Sequence, residues 1–181
     1  MEPTIQLERL LPEERNQFIL DNQEAFQYGA LVEFGRRDDH FEEGNQIIAR
    51  STIEQSLDAP GAEAYRIVFQ GKAAGGVVIQ IDRKNRRGDL DLLFVHPAWH
   101  SRGLGQAAWH QVEKRHPEIR VWECFTPYFE TRNLHFYINK CGFHAVEFFG
   151  PFHQDPKLPM AEGQAGELFF RFEKRMEPAR G

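Results

Sequence analysis

The chain has 181 residues, 41% apolar and 27% charged, with a formal net charge of −5. That is enough for one domain, spanning residues 1–181, with its own core, and its acidic balance argues against a nucleic-acid partner, which needs a basic face. No apolar run approaches the roughly 20 residues of a membrane span, and the charged start "MEPTIQLERLLPEERNQ" is unlike a secretory segment, so a cytoplasmic protein without a membrane partner is expected.

In chain order, "IQLERL" (5–10) reads as a short strand. "PEERNQFILDNQEAF" (12–26) reads as a helix, with a proline just inside its start, acids in its first turn, and Phe18, Ile19, Ala25 and Phe26 at helical spacing. A second helix is predicted over 44–59, stopped by Pro60-Gly61. Strands follow at "EAYRIVFQ" (63–70), "AGGVVIQIDR" (74–83) and "DLDLLFV" (89–95), the last two forming a hairpin around "KNRRG". A helix is expected from about Gly103 to Arg115, a strand at "IRVWECF" (119–125), and a short helix at "ETRNLHFYINK" (130–140) closed by Gly142. "FHAVEFF" (143–149) and "ELFFRFEK" (167–174) are the last strands, joined by a Gly- and Pro-rich loop at 150–166. The order β-α-α-β-β-β-α-β-α-β-β predicts an α/β (α+β) fold, a mixed sheet flanked by helices.

Cys124 and Cys141 are the only cysteines. Two thiols in a chain of this size point to a reducing compartment, and they read as buried thiols rather than a disulfide. The eight histidines show no zinc-binding spacing, so no metal is expected.

The stretch "FVHPAWHSRGLGQAAWH" (94–110) places two glycines where a helix begins. The first N–H groups of a helix lack partners inside it, and the helix dipole adds positive character there. Glycines let such a backbone wrap closely around a phosphate. Residues Ser101, Arg102, Gly103, Leu104, Gly105 and Gln106 therefore make either an N–H cradle for an anion, with Arg102 and His100 as further donors, or simply a tight turn into a helix. Neither a P-loop nor a dinucleotide-binding glycine pattern is complete.

"LLFVHP" followed by His100-x-x-Gly103-x-Gly105 resembles the central motif of the GNAT superfamily of N-acetyltransferases. "NLHFYINKCGF" (133–143) resembles that family's second signature through Phe136, Tyr137, Gly142 and Phe143. The resemblance covers about 88–149. Two positions depart from the family pattern: His100 stands where Gln or Arg is usual, and Asn133 where many members have Ala.

The resemblance implies acetyl-CoA as co-substrate and an N-acetyltransferase acting on a primary amine of a small molecule or a peptide, by direct transfer in a ternary complex. It implies that the diphosphate rests on the 101–106 N–H groups. The pantetheine arm would run along Phe94 and Val95, into a seam where that strand splays from the strand "VWECF". Asn133 would touch the pantetheine or a water, or else cap a turn. Tyr137 takes the position of the general acid, and GNAT domains often form homodimers. A base is needed because a lysine-like amine has a pKa near 10.4. Asp89, Asp91 and Glu123 are the candidates. Strand alternation puts Asp89, Asp91, Leu93 and Val95 on one face, and an acid inside an apolar strand, such as Asp91, needs a partner. Trp122, Phe125, Tyr128 and Phe129 form either an acceptor wall or packing, with packing favoured for Trp122 and Phe125. The same alternative holds for the 150–166 loop, as a cover for the acceptor groove or an excursion.

Overall fold

A computed structural model describes residues 1–29, 47–128, 130–157 and 168–177. Strand β1 is Gln6–Arg9, and a 3-10 turn at Pro12–Glu14 leads into helix α1, Arg15–Tyr28. The turn forms because Pro12 follows an extended Leu11 whose N–H is taken by the Glu14 carboxylate at 3.1 Å. Phe18, Ile19, Asn22 and Ala25 form the buried stripe of α1, at the 3–4 spacing that one helix face requires.

Helix α2 is Arg50–Asp58, shorter than the predicted 44–59. Residues 44–46 lie outside the described residues. Residues 47 and 48 are kept from helical bonding by α1: Gln27 Oε1 accepts from the Ile47 N–H and Gln23 Nε2 donates to the Ile48 carbonyl. Helix growth starts only after Ala49, which is extended.

The remaining elements are β2 (Ala62–Phe69), β3 (Lys72–Asp82), β4 (Arg87–Val95), α3 (Leu104–Arg115), β5 (Val121–Pro127), α4 (Thr131–His135), β6 (His144–Phe149) and β7 (Phe169–Arg175). The element order is the one read from the sequence. The strands make one seven-stranded sheet in the order β1-β2-β3-β4-β5-β7-β6. Every pairing is antiparallel except β4 with β5, which are parallel.

Two cores sandwich the sheet. On one face α3 buries Leu104, Ala107, Ala108, Trp109 and Val112. The Trp109 ring meets Trp122 of β5 at 5.0 Å and Phe143 at 5.2 Å, edge and tilted contacts that aromatic rings favour. On the other face Phe18 and Ile19 of α1 and Ile53 of α2 pack with Val78, Leu92 and Phe94. The outward edge of β1 is closed by α3, since Gln111 and Arg115 donate to the Ile5 and Leu7 carbonyls. The segment ahead of β1 runs along the same helix, with Glu2 on His110 and Pro3 against Gly103.

Strand β4 contains the feature that simple alternation misses. Val78 pairs with Leu92 but Ile79 with Leu90, so Asp91 is an extra residue, a β-bulge. The bulge reverses the side-chain parity beyond it. Leu90, Leu93 and Val95 all pack on the α3 face, whereas Leu92 and Phe94 pack under α1. Asp89 and Asp91 therefore do not share a face with Leu93 and Val95, contrary to the sequence expectation.

Candidate active site

Strands β4 and β5 pair through three rungs only: Arg87 with Val121, Gly88 with Trp122, and Asp89 with Glu123. Beyond that rung they diverge, and a seam opens between Leu90–Val95 and Cys124–Pro127. On the β3 side of β4, the His96 N–H donates to the Ala74 carbonyl at 2.8 Å. Successive residues of a strand turn their main-chain groups to opposite sides, so those of Val95 turn toward the seam. The Val95 carbonyl accepts from His100 Nε2 at 2.8 Å. His100 is thereby held as a strut across the turn, its ring edge-on to Tyr28 of α1, and Nε2 is committed to main chain rather than to a diphosphate. Phe94 is a core residue stacked edge-on against Phe18.

The turn into α3 has the main-chain shape that the glycine spacing suggests. Ser101 and Gly103 both have positive φ, 60° and 74°, and Gly103 is the residue before the helix. The first hydrogen bond of α3 runs from the Ala107 N–H to the Gly103 carbonyl. The N–H groups of Leu104, Gly105 and Gln106 thus precede any intrahelical partner, at the positive end of a 12-residue helix. Arg102 lies over the Trp99 ring at 5.3 Å. Leu104 is buried, and Gln106 donates through its side chain to the Lys140 carbonyl at 2.8 Å. That bond ties α3 to the end of the short helix opposite.

In that helix α4 passes directly into a π turn, Phe136–Lys140, in which the Cys141 N–H reaches back to the Phe136 carbonyl at 3.0 Å. A single π turn inserts a residue and re-aims the side chains around it. It ends at Gly142, whose φ is 78°. Tyr137 is directed inward, among Phe136, Phe143 and Phe172. Its hydroxyl makes no hydrogen bond to a described residue. Burial raises the Tyr137 pKa well above the usual phenol value, and Cys124, Cys141 and Glu130 push the same way. Asn133 is half-buried one turn before Tyr137.

The acids lie on the opposite face of the sheet from α3. Asp91, in the bulge, is exposed and accepts from Gln80 Nε2 at 3.1 Å. Asp89 and Glu123 face each other across the last β4–β5 rung, and Glu123 in turn faces Glu173 of β7. Three carboxylates thus stand side by side on adjacent strands. Arg171 donates to Glu123 at 2.8 Å and to Glu173 at 2.9 Å, and Arg87 to the same pair at 3.2 and 3.3 Å. Arg171 also holds Glu147 of β6 at 2.8 Å. Asp89 has neither a hydrogen bond nor an ion pair to a described residue. Burial first, then Glu123, pushes its pKa up to about 6, against the opposing pull of Lys157 and Arg87.

Sequence reasoning missed Arg87, Arg171 and Glu173. A signal for the last two was present: in "FFRFEKR" the charged residues alternate with Phe170 and Phe172, the period of a strand with one polar and one apolar face.

Trp122 is core, whereas Phe125 is exposed and meets Phe149 and Phe169 at 6.4 and 6.1 Å. The packing expected for Phe125 is thus replaced by a position at the open side of the sheet. Tyr128 is exposed; Phe129 lies outside the described residues. So does most of the 150–166 loop, though its first part folds back on the strand: His153 stacks on Phe149 and bonds Glu147. Cys124 and Cys141 are free, buried thiols, and burial raises both pKa values, that of Cys141 to about 12. Among the described residues no group of three or more His, Cys, Asp or Glu is arranged to hold a metal ion, and no helix is long and apolar enough to cross a membrane.

Residues 21–143 match the model of the acetyltransferase (GNAT) family. A Bacillus subtilis protein described as uncharacterized, YrkN, is 37% identical over 183 residues, covering 97% of this chain and 96% of that protein. The fold is similar to that of the ribosomal-protein-S18-alanine N-acetyltransferase from Escherichia coli, at 12% identity with 98% of each chain covered and a TM-score of 0.67. It is also similar to spermidine N-acetyltransferase from Vibrio cholerae, solved with CoA and spermine, at 10% identity, 94% and 95% coverage and a TM-score of 0.64. The PaiA N-acetyltransferase of Thermoplasma acidophilum, solved with coenzyme A, is 13% identical, with 96% and 99% coverage and a TM-score of 0.62.

Proposed function

Since the chain belongs to the GNAT family of acetyltransferases, we propose that it transfers the acetyl group of acetyl-CoA to a primary amine of a small molecule or peptide, directly and within a ternary complex. One observation carries this reading: the β4–β5 pairing stops at Asp89 and Glu123, and the main chain of Val95 turns into the seam so created.

The residues present fit the donor. The 101–106 turn offers N–H groups ahead of the first α3 hydrogen bond, and positive φ at Ser101 and Gly103 bends the chain around a diphosphate. Arg102 adds charge at the rim. The seam admits an extended pantetheine arm beside Leu93 and Val95, with Asn133 and Tyr137 on the α4 side. The Val95 N–H is the donor set to stabilise negative charge on the thioester oxygen.

Asp89 supplies the base. It takes a proton from the acceptor's ammonium group, which then attacks as the neutral amine. The new C–N bond forms as the C–S bond breaks; Tyr137 gives its proton to the departing thiolate, the extra proton left on the new amide nitrogen restores the phenol, and Asp89 releases its own proton to solvent. Burial keeps the phenol protonated in the resting protein, so the proton is in place when the thiolate forms. Asp91 is exposed and Glu123 is bound by two guanidinium groups, so neither matches Asp89 as a proton acceptor. Burial raises the Cys124 pKa and so disfavours the thiolate that a covalent route through it would need. Two of the similar structures are a ribosomal-protein-S18-alanine N-acetyltransferase and a spermidine N-acetyltransferase; for this chain they support an amine and nothing narrower.

The test is to incubate the protein with acetyl-CoA and a panel of primary amines, polyamines and short peptides and to follow free thiol. Amine-dependent thiol release, with the acetylated amine identified by mass, is expected. Tight acetyl-CoA binding without release across the panel would overturn the reading in favour of a non-catalytic acyl-CoA sensor.

A further inference from the structure

The carboxylates of Asp89, Glu123 and Glu173 occupy one row across β4, β5 and β7. Like charges directly opposite one another in a sheet are destabilising, so a row of three requires compensation. Guanidinium groups supply it, all at the same end, with an exposed Arg175 adding a 3.4 Å contact to Glu173. Arg87 and Arg171 each bridge Glu123 and Glu173, and neither hydrogen-bonds Asp89. The carboxylate of the row left without a guanidinium contact is the one at the mouth of the seam.

We infer that Glu123, Glu173, Arg87 and Arg171 form a positioning unit that fixes the Glu123 carboxylate beside Asp89, leaving Asp89 as the carboxylate of the row that exchanges a proton. The assignment of that proton to the acetyl transfer rests on the function proposed above; the coupling within the row does not.

The balance of forces agrees with the geometry. Burial and the Glu123 charge are the two largest influences on Asp89, and both favour its protonated form. The other charged groups acting on it are Lys157, from the segment after β6, and Arg87 and Asp91 on its own strand. Gln80, its partner on β3, is neutral. Arg171 reaches farther than the pair: its bond to Glu147 fixes β6 to the same network. Without it, Glu123 would stand beside Asp89 with only Arg87 to oppose it.

Two substitutions with opposite predicted signs test the unit. Carboxyl carbons of aspartate are followed by NMR across pH 4–8 in the full chain, with the Asp89 signal identified by its loss in Asp89→Asn. Glu123→Gln removes the fixed charge and is expected to lower the Asp89 midpoint, with proton affinity falling about tenfold. Arg171→Met removes a compensating charge and is expected to raise it, while Arg171→Lys returns it toward the native value. Glu173→Gln, farther along the row, gives a smaller shift in the same direction as Glu123→Gln and serves as the second variant should Glu123→Gln not fold. A midpoint that stays fixed in the folded Gln variants overturns the inference. The acid limb of kcat/KM is then compared with the same midpoints. Parallel movement supports both the row and its role in transfer. A limb that ignores a shifted midpoint leaves the row standing and removes Asp89 as the base.

Discussion

Gly105 and Phe136 are in contact across the seam: a Cβ built on Gly105 would lie 3.3 Å from Phe136 Cζ and 3.7 Å from Val95 Cγ2. The second residue of α3, the start of the π turn and the end of β4 therefore close on one point, and even a Cβ there would make the Phe136 ring give by a few tenths of an ångström. Gly105→Val forces Phe136 to yield, at an overpacking cost of about 1–3 kcal/mol, and moves the π turn that carries Tyr137. A lowered melting temperature together with an acetyl-CoA dissociation constant raised at least tenfold is expected. Calorimetric titration checks the second quantity, and native affinity in this variant would rule out the Gly105–Phe136 contact as part of the donor seat.

Gly103 tests a different constraint. Among the described residues the nearest atom to a Cβ at this position is Pro3 Cδ at 3.6 Å, but the Gly103 φ of 74° is left-handed. Gly103→Ala is therefore strained by backbone conformation rather than by crowding, and costs about 1–2 kcal/mol. Urea denaturation should show that loss without a change in m-value. Gly103→Asn, a residue that tolerates the left-handed region, should recover part of it.

Tyr137→Phe separates chemistry from packing. Because the hydroxyl has no hydrogen-bond partner among the described residues, the ring contacts with Phe143 and Phe172 survive the change. Stability should stay within about 0.5 kcal/mol. Turnover should fall about 100-fold, in the range of lost general acid catalysis, with acetyl-CoA affinity nearly unchanged. Undiminished kcat would remove Tyr137 from the mechanism.

The raised pKa of Asp89 links its ionisation to folding. A carboxyl group with a folded-state pKa of about 6 and an unfolded value near 3.8 binds its proton more tightly when the chain is folded. Its ionisation thus opposes folding, progressively from about pH 4 to pH 6 and fully above that. Asp89→Asn is expected to stabilise the protein at pH 7 and to lose that advantage by pH 4, while abolishing most amine-dependent thiol release. Denaturation curves at the two pH values give the sign. Equal effects at both would show that Asp89 titrates normally.

The thiols give a test independent of any substrate. With both pKa values raised by burial, neither Cys124 nor Cys141 should react with a thiol reagent in the native protein, and both should react in denaturant. Cys124→Ala should retain turnover, as direct transfer requires; its loss in a folded variant would point instead to an acetyl-cysteine intermediate at this thiol.

The order of elements was legible because each carries its own period or punctuation: Pro60-Gly61 ends α2, residues 83–86 turn the β3–β4 hairpin, and Gly142 closes the short helix. The turn at 101–106 was legible for the same reason, since two glycines before an Ala-rich helical pattern leave few shapes for the main chain. What escaped were relationships between distant segments. The bulge at Asp91 is a mismatch between two strands, invisible in either alone, and it moved Leu93 and Val95 to the face opposite Asp89. The glutamine side chains of α1 hold residues 47 and 48 out of a helix that local pattern alone would extend. The choice among Asp89, Asp91 and Glu123 depended on which carboxylate Arg87 and Arg171 occupy. Arg171 lies 48 residues from Glu123, and spacing along the chain carries no trace of that pairing.

The path of the first five residues has a practical corollary. With Pro3 against Gly103 and Glu2 on His110, whatever is joined ahead of Glu2 is delivered to the rim of the 101–106 turn proposed above to hold the donor. A purification tag placed there would compete for room with an incoming nucleotide, so binding constants for acyl-CoA donors are best obtained on protein from which such an extension has been cleaved.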